Sequence, residues 1–350
     1  MPEEKVMIRR VTLCATLLVF LFQFLLPLIC QGQEAEGRSP KPNPEGGLRR
    51  GARTMGGKQF WTDLYVFRDW RIQKNALTGH CRLLDDQDLR QTWGSYDHCL
   101  QTFQAIRRQR SLPPLKSRAV VTIHGLGRTR QSMDPVGRAV LQAARVDDQH
   151  VEWINMSYAS TRGDMTAHAE ALDQVLRGLD GVEEVDFVAH SLGNLVIRRW
   201  LHLQTERQDP PADLPRVGRI VMLAPPNGGA EMAQRLNENG LFHFVLGTSG
   251  TQLAREWELI QQKLAIPQTS FGIIAGDVQL PKDGNPLIEG PDDLVVSVEE
   301  TKLSGADDRY VGPFSHTYIM DQEKVHEAIL RFLKHGYFLD KDRRTALESP

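Results

Sequence analysis

Val185-Asp186-Phe187-Val188-Ala189-His190-Ser191-Leu192-Gly193 passes from an apolar, β-branched run into a helical pattern across a single serine. A serine at a tight strand-to-helix turn has its hydroxyl pushed out beyond the sheet. Such a turn brings the residues two before and two after the serine against neighbouring backbone, so both must be small. Ala189 and Gly193 meet that requirement. A serine that merely caps the helix is the plainer alternative, and the flanking pattern has to decide between them.

Working outward, short continuous apolar runs alternate with helical periodicity. Ala119–Ile123, Val151–Met156, Val185–Ala189, Arg219–Ala224 and Phe271–Ala275 read as strands. Helices are expected at about 132–145, 165–178, 192–206 and 321–334. Runs apolar on both sides, separated by helices, predict an α/β protein: a mostly parallel central sheet with helices on both faces. The core spans residues 118–340, with a helical, lid-like insertion at about 228–266 around Ala233–Leu236 and Leu253–Leu264. Within it, Leu241–Leu246 reads either as an acyl-pocket lining or as ordinary core. Residues 58–117 form an N-terminal extension. It reads as a strand hairpin (Thr62–Phe67, Trp70–Gln73, turn Asn75–Gly79, return Cys81–Leu84) followed by a helix at 95–110.

His124-Gly125-Leu126-Gly127 directly follows the Ala119–Ile123 strand. Attack on an ester carbonyl needs donors for the developing oxyanion, and a Gly-rich loop presents backbone N–H groups unobstructed. The expected donors are the N–H groups of Leu126 and Leu192, with His124 holding the loop. A serine hydroxyl also needs a base. His190 sits beside the serine but points elsewhere, because neighbouring residues on a strand face opposite ways. His326 and His335 lie on the last helix. His316, in the loop entering that helix, fits the chain order nucleophile, acid, histidine. Between Phe271–Ala275 and His316 stand Asp277, Asp283, Asp292, Asp293, Asp307 and Asp308. Asp293 is preferred, because the apolar Leu294–Val298 segment after it can pin the loop.

The rest of the chain bounds these expectations. Hydrophobic residues make up 41% and charged residues 25%, as in a globular protein, and the net charge of -2 argues against a nucleic-acid binder. Lys5, Arg9 and Arg10 precede an uncharged run from Val11 to Cys30, the pattern of an export segment over residues 1–32. Cys30 and Gly32 fit a cleavage site after Gly32. The run is also long enough for an uncleaved anchor, which would associate the protein with a membrane through residues 11–30. Both readings place the remainder outside the cytosol. Residues 33–57, rich in Gly and Pro, read as a linker. Export permits disulfides, and Cys81 and Cys99 are the two cysteines outside the export segment, so a bond between them is expected, with two buried free thiols as the plainer alternative. No metal-ligand cluster is apparent.

His124-Gly-Leu-Gly-Arg128, Tyr158-Ala-Ser-Thr-Arg162, Ala189-His-Ser-Leu-Gly193, Ala224-Pro-Pro-Asn-Gly-Gly229, Asp293-Leu-Val-Val-Ser-Val-Glu-Glu-Thr301 and Ser315-His316 occur in this order. Together they resemble the α/β-hydrolase superfamily. Within it, they are similar to bacterial-type lipases and esterases related to the GPI inositol-deacylases. The resemblance covers about residues 118–335 and implies an esterase that works without cofactor or metal on a small-molecule or lipid ester. Where such enzymes commonly show Asp-Gly, this chain has Asp293-Leu294. The same fold hosts acyltransferases, thioesterases and inactive lipid- or protein-binding relatives.

Overall fold

The computed structural model describes residues 58–148, 150–208, 213–229, 256–279 and 288–348. The export segment, the linker, Asp283, the Ala233–Leu236 stretch and the Leu241–Leu246 cluster lie outside the described residues. Among the described residues, no helix is long and apolar enough to cross a membrane.

The central sheet has six strands: β5 (Arg118–Ile123), β6 (Val151–Met156), β7 (Glu184–His190), β8 (Arg216–Leu223), β9 (Phe271–Gly276) and β10 (Asp308–Gly312). Their order is β10-β9-β8-β7-β5-β6, and every pair is parallel. Parallel strands are covered on both faces, which is why the inner ones read as unbroken apolar runs. On one face pack α2 (Asp134–Val146) and α6 (Glu323–His335), with Val136, Val140, Ile329 and Phe332 buried against Val120, Val188 and Val221. On the other pack α3 (Met165–Arg177) and α4 (Leu192–Thr205), which bury Leu172, Leu176, Leu195 and Trp200 against Val121, Phe187 and Met222. Asp164 caps α3 by accepting the Ala167 N–H at 2.7 Å, and Gly336 ends α6 in the left-handed conformation. Of the insertion, the described part holds one short helix, α5 (Trp257–Gln261).

The strand order places the site. From β5 the chain crosses to β6 on one side, then returns to lay β7 on the other. At such a switch point the loops leaving the carboxyl ends of β5 and β7 diverge and leave a crevice between them. The Gly-rich loop leaves β5 and Ser191 leaves β7.

The N-terminal extension differs from the expected hairpin. It is a separate antiparallel sheet of four strands, β1 (Trp61–Phe67), β2 (Trp70–Asn75), β3 (Cys81–Leu84) and β4 (Arg90–Gly94), followed by α1 (Tyr96–Gln109). It shares one hydrophobic core with the α3 side of the central sheet, through Tyr65, Val66, Phe67 and Phe103. Asp63 is fully buried in this sheet. It pairs with Arg71 at 2.8 Å, accepts the Gln73 amide at 2.8 Å, and accepts the Ser157 N–H at 2.7 Å.

The expected disulfide is not formed: Cys81 on β3 and Cys99 on α1 are free, buried thiols. Both belong to the apolar cluster between sheet and helix, where a thiol packs as a small hydrophobe. Burial pushes the Cys99 thiol up to about 11, with the Cys81 sulfur adding to the rise. Bond formation needs a thiolate, which this core disfavours.

Candidate active site

Ser191 sits between β7 and α4 with φ 52° and ψ −123°, a strained conformation for a residue with a side chain. Such strain costs of order 1–3 kcal/mol and is held by the surroundings. Here the Ser191 N–H donates to the Leu223 carbonyl at 2.9 Å, and the Asn194 side chain donates to the Ser191 carbonyl at 3.1 Å. A Cβ on Gly193 would stand 2.8 Å from the carbonyl oxygens of both Ile123 and His124. Only a bare α-carbon lets the start of α4 come this close to the end of β5.

The hydroxyl reaches His316: His316 Nε2 lies 3.0 Å from Ser191 Oγ. His316 Nδ1 lies 2.7 Å from Asp293 Oδ2, and both side chains are buried. The donor roles follow from the partners. Nδ1–H donates to the carboxylate, and Nε2 is free to accept the serine proton. Asp293 Oδ1 accepts the N–H groups of Val295 and Val296 at 3.0 and 2.7 Å, so backbone holds the carboxylate still. The His316 N–H also donates to the Asp293 carbonyl at 2.9 Å. The other acids fall elsewhere. Asp277 accepts the Gln279 N–H, Asp292 accepts the Leu294 N–H, Asp307 binds Ser270, and Asp308 holds the C-terminal strap at Phe338 and Thr345.

Leu294 has φ 83°, the left-handed region that favours glycine. Leucine adopts this conformation only under steric strain, and a β-branched residue would be strained further. Leu294→Gly should therefore keep or raise stability, by up to about 1 kcal/mol, while Leu294→Ile should lose more than about 1 kcal/mol. Thermal melts of the two variants check the order, and a more stable isoleucine variant would contradict it.

His190 does not reach the serine hydroxyl. Its Nε2–H donates to the His316 carbonyl at 3.0 Å, and its ring lies 4.8 Å from the His316 ring. Nδ1 is buried without a partner. Burial, then the neighbouring His316 charge, hold this histidine well below its ordinary range, so it stays neutral. The sequence carried no signal for this tether, because a strand residue beside the nucleophile reads simply as pointing away.

The Gly-rich loop runs over Ser191. A Cβ on Gly125 would meet His190 Nδ1 at 2.8 Å and Ser191 Cβ at 3.0 Å. His124 Nδ1–H donates to the Gly125 carbonyl at 2.9 Å, and its ring stacks on Tyr158 at 4.5 Å. Tyr158 in turn donates its hydroxyl proton to the His124 carbonyl at 2.9 Å. His168 packs its edge on Tyr158 at 4.8 Å. Leu192 follows the serine and opens α4, where a helix N-terminus adds positive potential, and Leu126 follows Gly125 in the loop.

His124 and His168 are both lowered by burial to about 4. Together with His190 they stay neutral in the fold while their unfolded counterparts protonate near 6.5. Between about pH 6.5 and 4 the unfolded chain binds more protons at these sites, so stability falls as pH falls through that window. Each contributes a slope of up to about 1.4 kcal/mol per pH unit. The raised carboxyls of Asp186, Asp292 and Asp321 act in the opposite sense. Replacing His168 with Gln should flatten the dependence of Tm on pH between 6.5 and 5. An unchanged slope would refute the assignment of a neutral buried His168.

A parallel sheet with this strand order, a strained serine after β7, and an acid and a histidine on the loops after β9 and β10 define the α/β-hydrolase fold. The chain belongs to the family described as "Domain of unknown function (DUF7379)", which matches residues 84–273, 190 of the 350. No curated protein matches it. Similar solved structures include the mature lipase BlEst2 of Bacillus licheniformis, with 18% identity, a TM-score of 0.44, and 64% of this chain and 92% of that one covered. Phospholipase PlaB of Legionella pneumophila is 18% identical, with a TM-score of 0.41 over 53% of this chain and 45% of that one. The lipase of Staphylococcus hyicus is 12% identical, with a TM-score of 0.41 over 59% and 89%.

Proposed function

We propose that this protein hydrolyses carboxylic esters, lipid esters among them, through an acyl-enzyme on Ser191. The observation that carries the reading is the unbroken hydrogen-bonded line from Ser191 Oγ to His316 Nε2 at 3.0 Å and from His316 Nδ1 to Asp293 Oδ2 at 2.7 Å. His316 takes the Ser191 proton as Oγ attacks the carbonyl carbon. The oxyanion is received by the N–H groups of Leu126 and Leu192. His316 then protonates the departing alcohol, and water, activated by the same nitrogen, releases the acid. Asp293 keeps His316 in the accepting tautomer and stabilises its cationic form.

A fluorophosphonate probe tests the nucleophile, and p-nitrophenyl esters of short, medium and long acyl chains test the substrate. Labelling confined to Ser191, with turnover of at least one chain length, is the expected result. Labelling at Ser191 with acyl transfer to an added alcohol but no acid release would favour an acyltransferase. Absence of both labelling and turnover would favour a silent binding relative. The motif likeness to lipases related to inositol-deacylases makes lipid esters the first natural substrates to try.

Export is part of the same proposal, supported by the basic and then apolar order of residues 1–32. N-terminal sequencing of protein made in a secreting host should start at Gln33 for cleavage, or recover Met1 in the membrane fraction for an anchor. A full-length, soluble cytosolic product would exclude both.

A further inference from the structure

We propose that the N-terminal four-stranded sheet is a working part of the active site: through Gln59, Asp63 and Asp88 it positions the loop that presents the Leu126 N–H to the oxyanion. The inference rests on the ester-hydrolase reading above. Residues 124–129 link β5 to a short 3-10 helix at Arg130–Met133. Two of those loop residues are glycines, and Gly127 has φ 67°. Such a loop is intrinsically soft. Its own backbone adds one weak closure, Arg128 N–H to the Gly125 carbonyl at 3.3 Å. Yet an oxyanion donor must be held to within about 0.5 Å to be worth its full effect.

The missing stiffness comes from outside the loop. Gln59, in the turn just before β1, donates its amide to the Gly127 carbonyl at 2.8 Å. The Gly127 N–H donates to Ser160 Oγ at 3.0 Å. Gly127 is thus gripped on both sides, one residue beyond Leu126. At the far end, Asp88, from the turn before β4, takes Arg130 Nη2 on both carboxylate oxygens at 2.7 Å. At the near end, the Tyr158 hydroxyl holds the His124 carbonyl.

Tyr158 and Ser160 are themselves set by the small sheet. The Ala159 N–H donates to Thr62 Oγ1 at 3.0 Å, and Asp63 exchanges two bonds with Ser157, at 2.7 and 2.8 Å. Asp63 cannot drift, because Arg71 and Gln73 saturate it in the core. The hydrogen bonds that hold Gly127, the His124 carbonyl and Arg130 therefore lead back to residues 59–88, directly or through one neighbour.

Gln59 and Asp88 are positioning residues, and their effect should appear in the transition state. The full chain is compared with Gln59→Ala, Gln59→Glu and Asp88→Ala on a p-nitrophenyl ester. The carboxylate introduced by Gln59→Glu matches the shape of the amide but, ionised, has no proton to donate to the Gly127 carbonyl. Both Gln59 variants should lose roughly tenfold or more in kcat with KM within threefold, because misplacement of this order is costly. Asp88→Ala should lower kcat in the same way. Affinity for a trifluoromethyl ketone, whose oxyanion forms when Ser191 Oγ adds to the carbonyl and His316 takes the proton, should fall by the same factor as kcat/KM. Arg107→Ala, which breaks an ion pair between α1 of the extension and Asp180 after α3, should leave kcat, KM and inhibitor affinity unchanged. A Gln59→Glu variant with wild-type kcat and inhibitor affinity overturns the positioning role. A wild-type chain that neither labels nor turns over overturns the hydrolase reading, and this inference with it.

Discussion

Ser191→Ala is expected to remove ester hydrolysis, with kcat/KM falling roughly 10⁴–10⁶-fold while the melting temperature shifts by no more than a few degrees. The size follows from the proposed chemistry: without Oγ no acyl-enzyme can form, and the proposed oxyanion donors could assist only direct attack by water. The small stability effect follows from structure. Alanine keeps the Cβ, so the strained φ of 52° is neither relieved nor worsened. The contacts that hold the turn are made by the Ser191 backbone to Leu223 and Asn194 and do not involve the hydroxyl. The one side-chain bond lost is to His316, whose position is secured independently by Asp293 and His190. Activity within tenfold of wild type, in a folded variant, would remove Ser191 from the mechanism.

Asp293→Asn should cost about 10³–10⁴ in kcat with little change in KM. The asparagine oxygen can still accept the Val295 and Val296 N–H groups, so the loop keeps its shape. Its amide nitrogen then faces His316 Nδ1 and donates to it. That forces the imidazole proton onto Nε2, where it blocks acceptance of the serine proton, and no carboxylate remains to balance the imidazolium. Asp277→Asn is the matched control. Asp277 caps Gln279 and leads out of β9, so its loss should cost no more than a few-fold. If Asp277→Asn proved the more damaging of the two folded variants, the acid would have to be reassigned.

The sites missed from sequence are of one physical kind. The strands β4 and β10 are edge strands of their sheets. Arg90-Gln-Thr-Trp-Gly94 is half-exposed, and Asp308-Arg-Tyr-Val-Gly312 opens on two charged residues and holds only two apolar ones, so neither shows the apolar run or alternation by which strands are recognised. Tyr158 and Ser160 lie in a motif visible in the sequence, but their partners are 33 or more residues away. Gln59 is 68 residues from Gly127, and a lone glutamine before a strand has no pattern to mark it. The cysteine pair failed for a related reason. Counting thiols identifies candidates, but whether they bond depends on side-chain geometry in the packed core.

Local chemistry by itself determined the α/β alternation, the serine turn with small residues on either side, and the chain order of serine, aspartate and histidine. These depend on periodicity, on steric limits within five residues, and on the few side chains able to do the chemistry. Tertiary structure decided what depends on approach across long sequence gaps. It set Asp293 rather than its neighbours against His316, turned His190 toward the His316 carbonyl, and made the N-terminal extension a second sheet clamped on the Gly-rich loop. A hydrogen bond of about 2.7 Å is satisfied or lost within a few tenths of an ångström. Placement that fine is fixed only when the packed core brings the distant segments together.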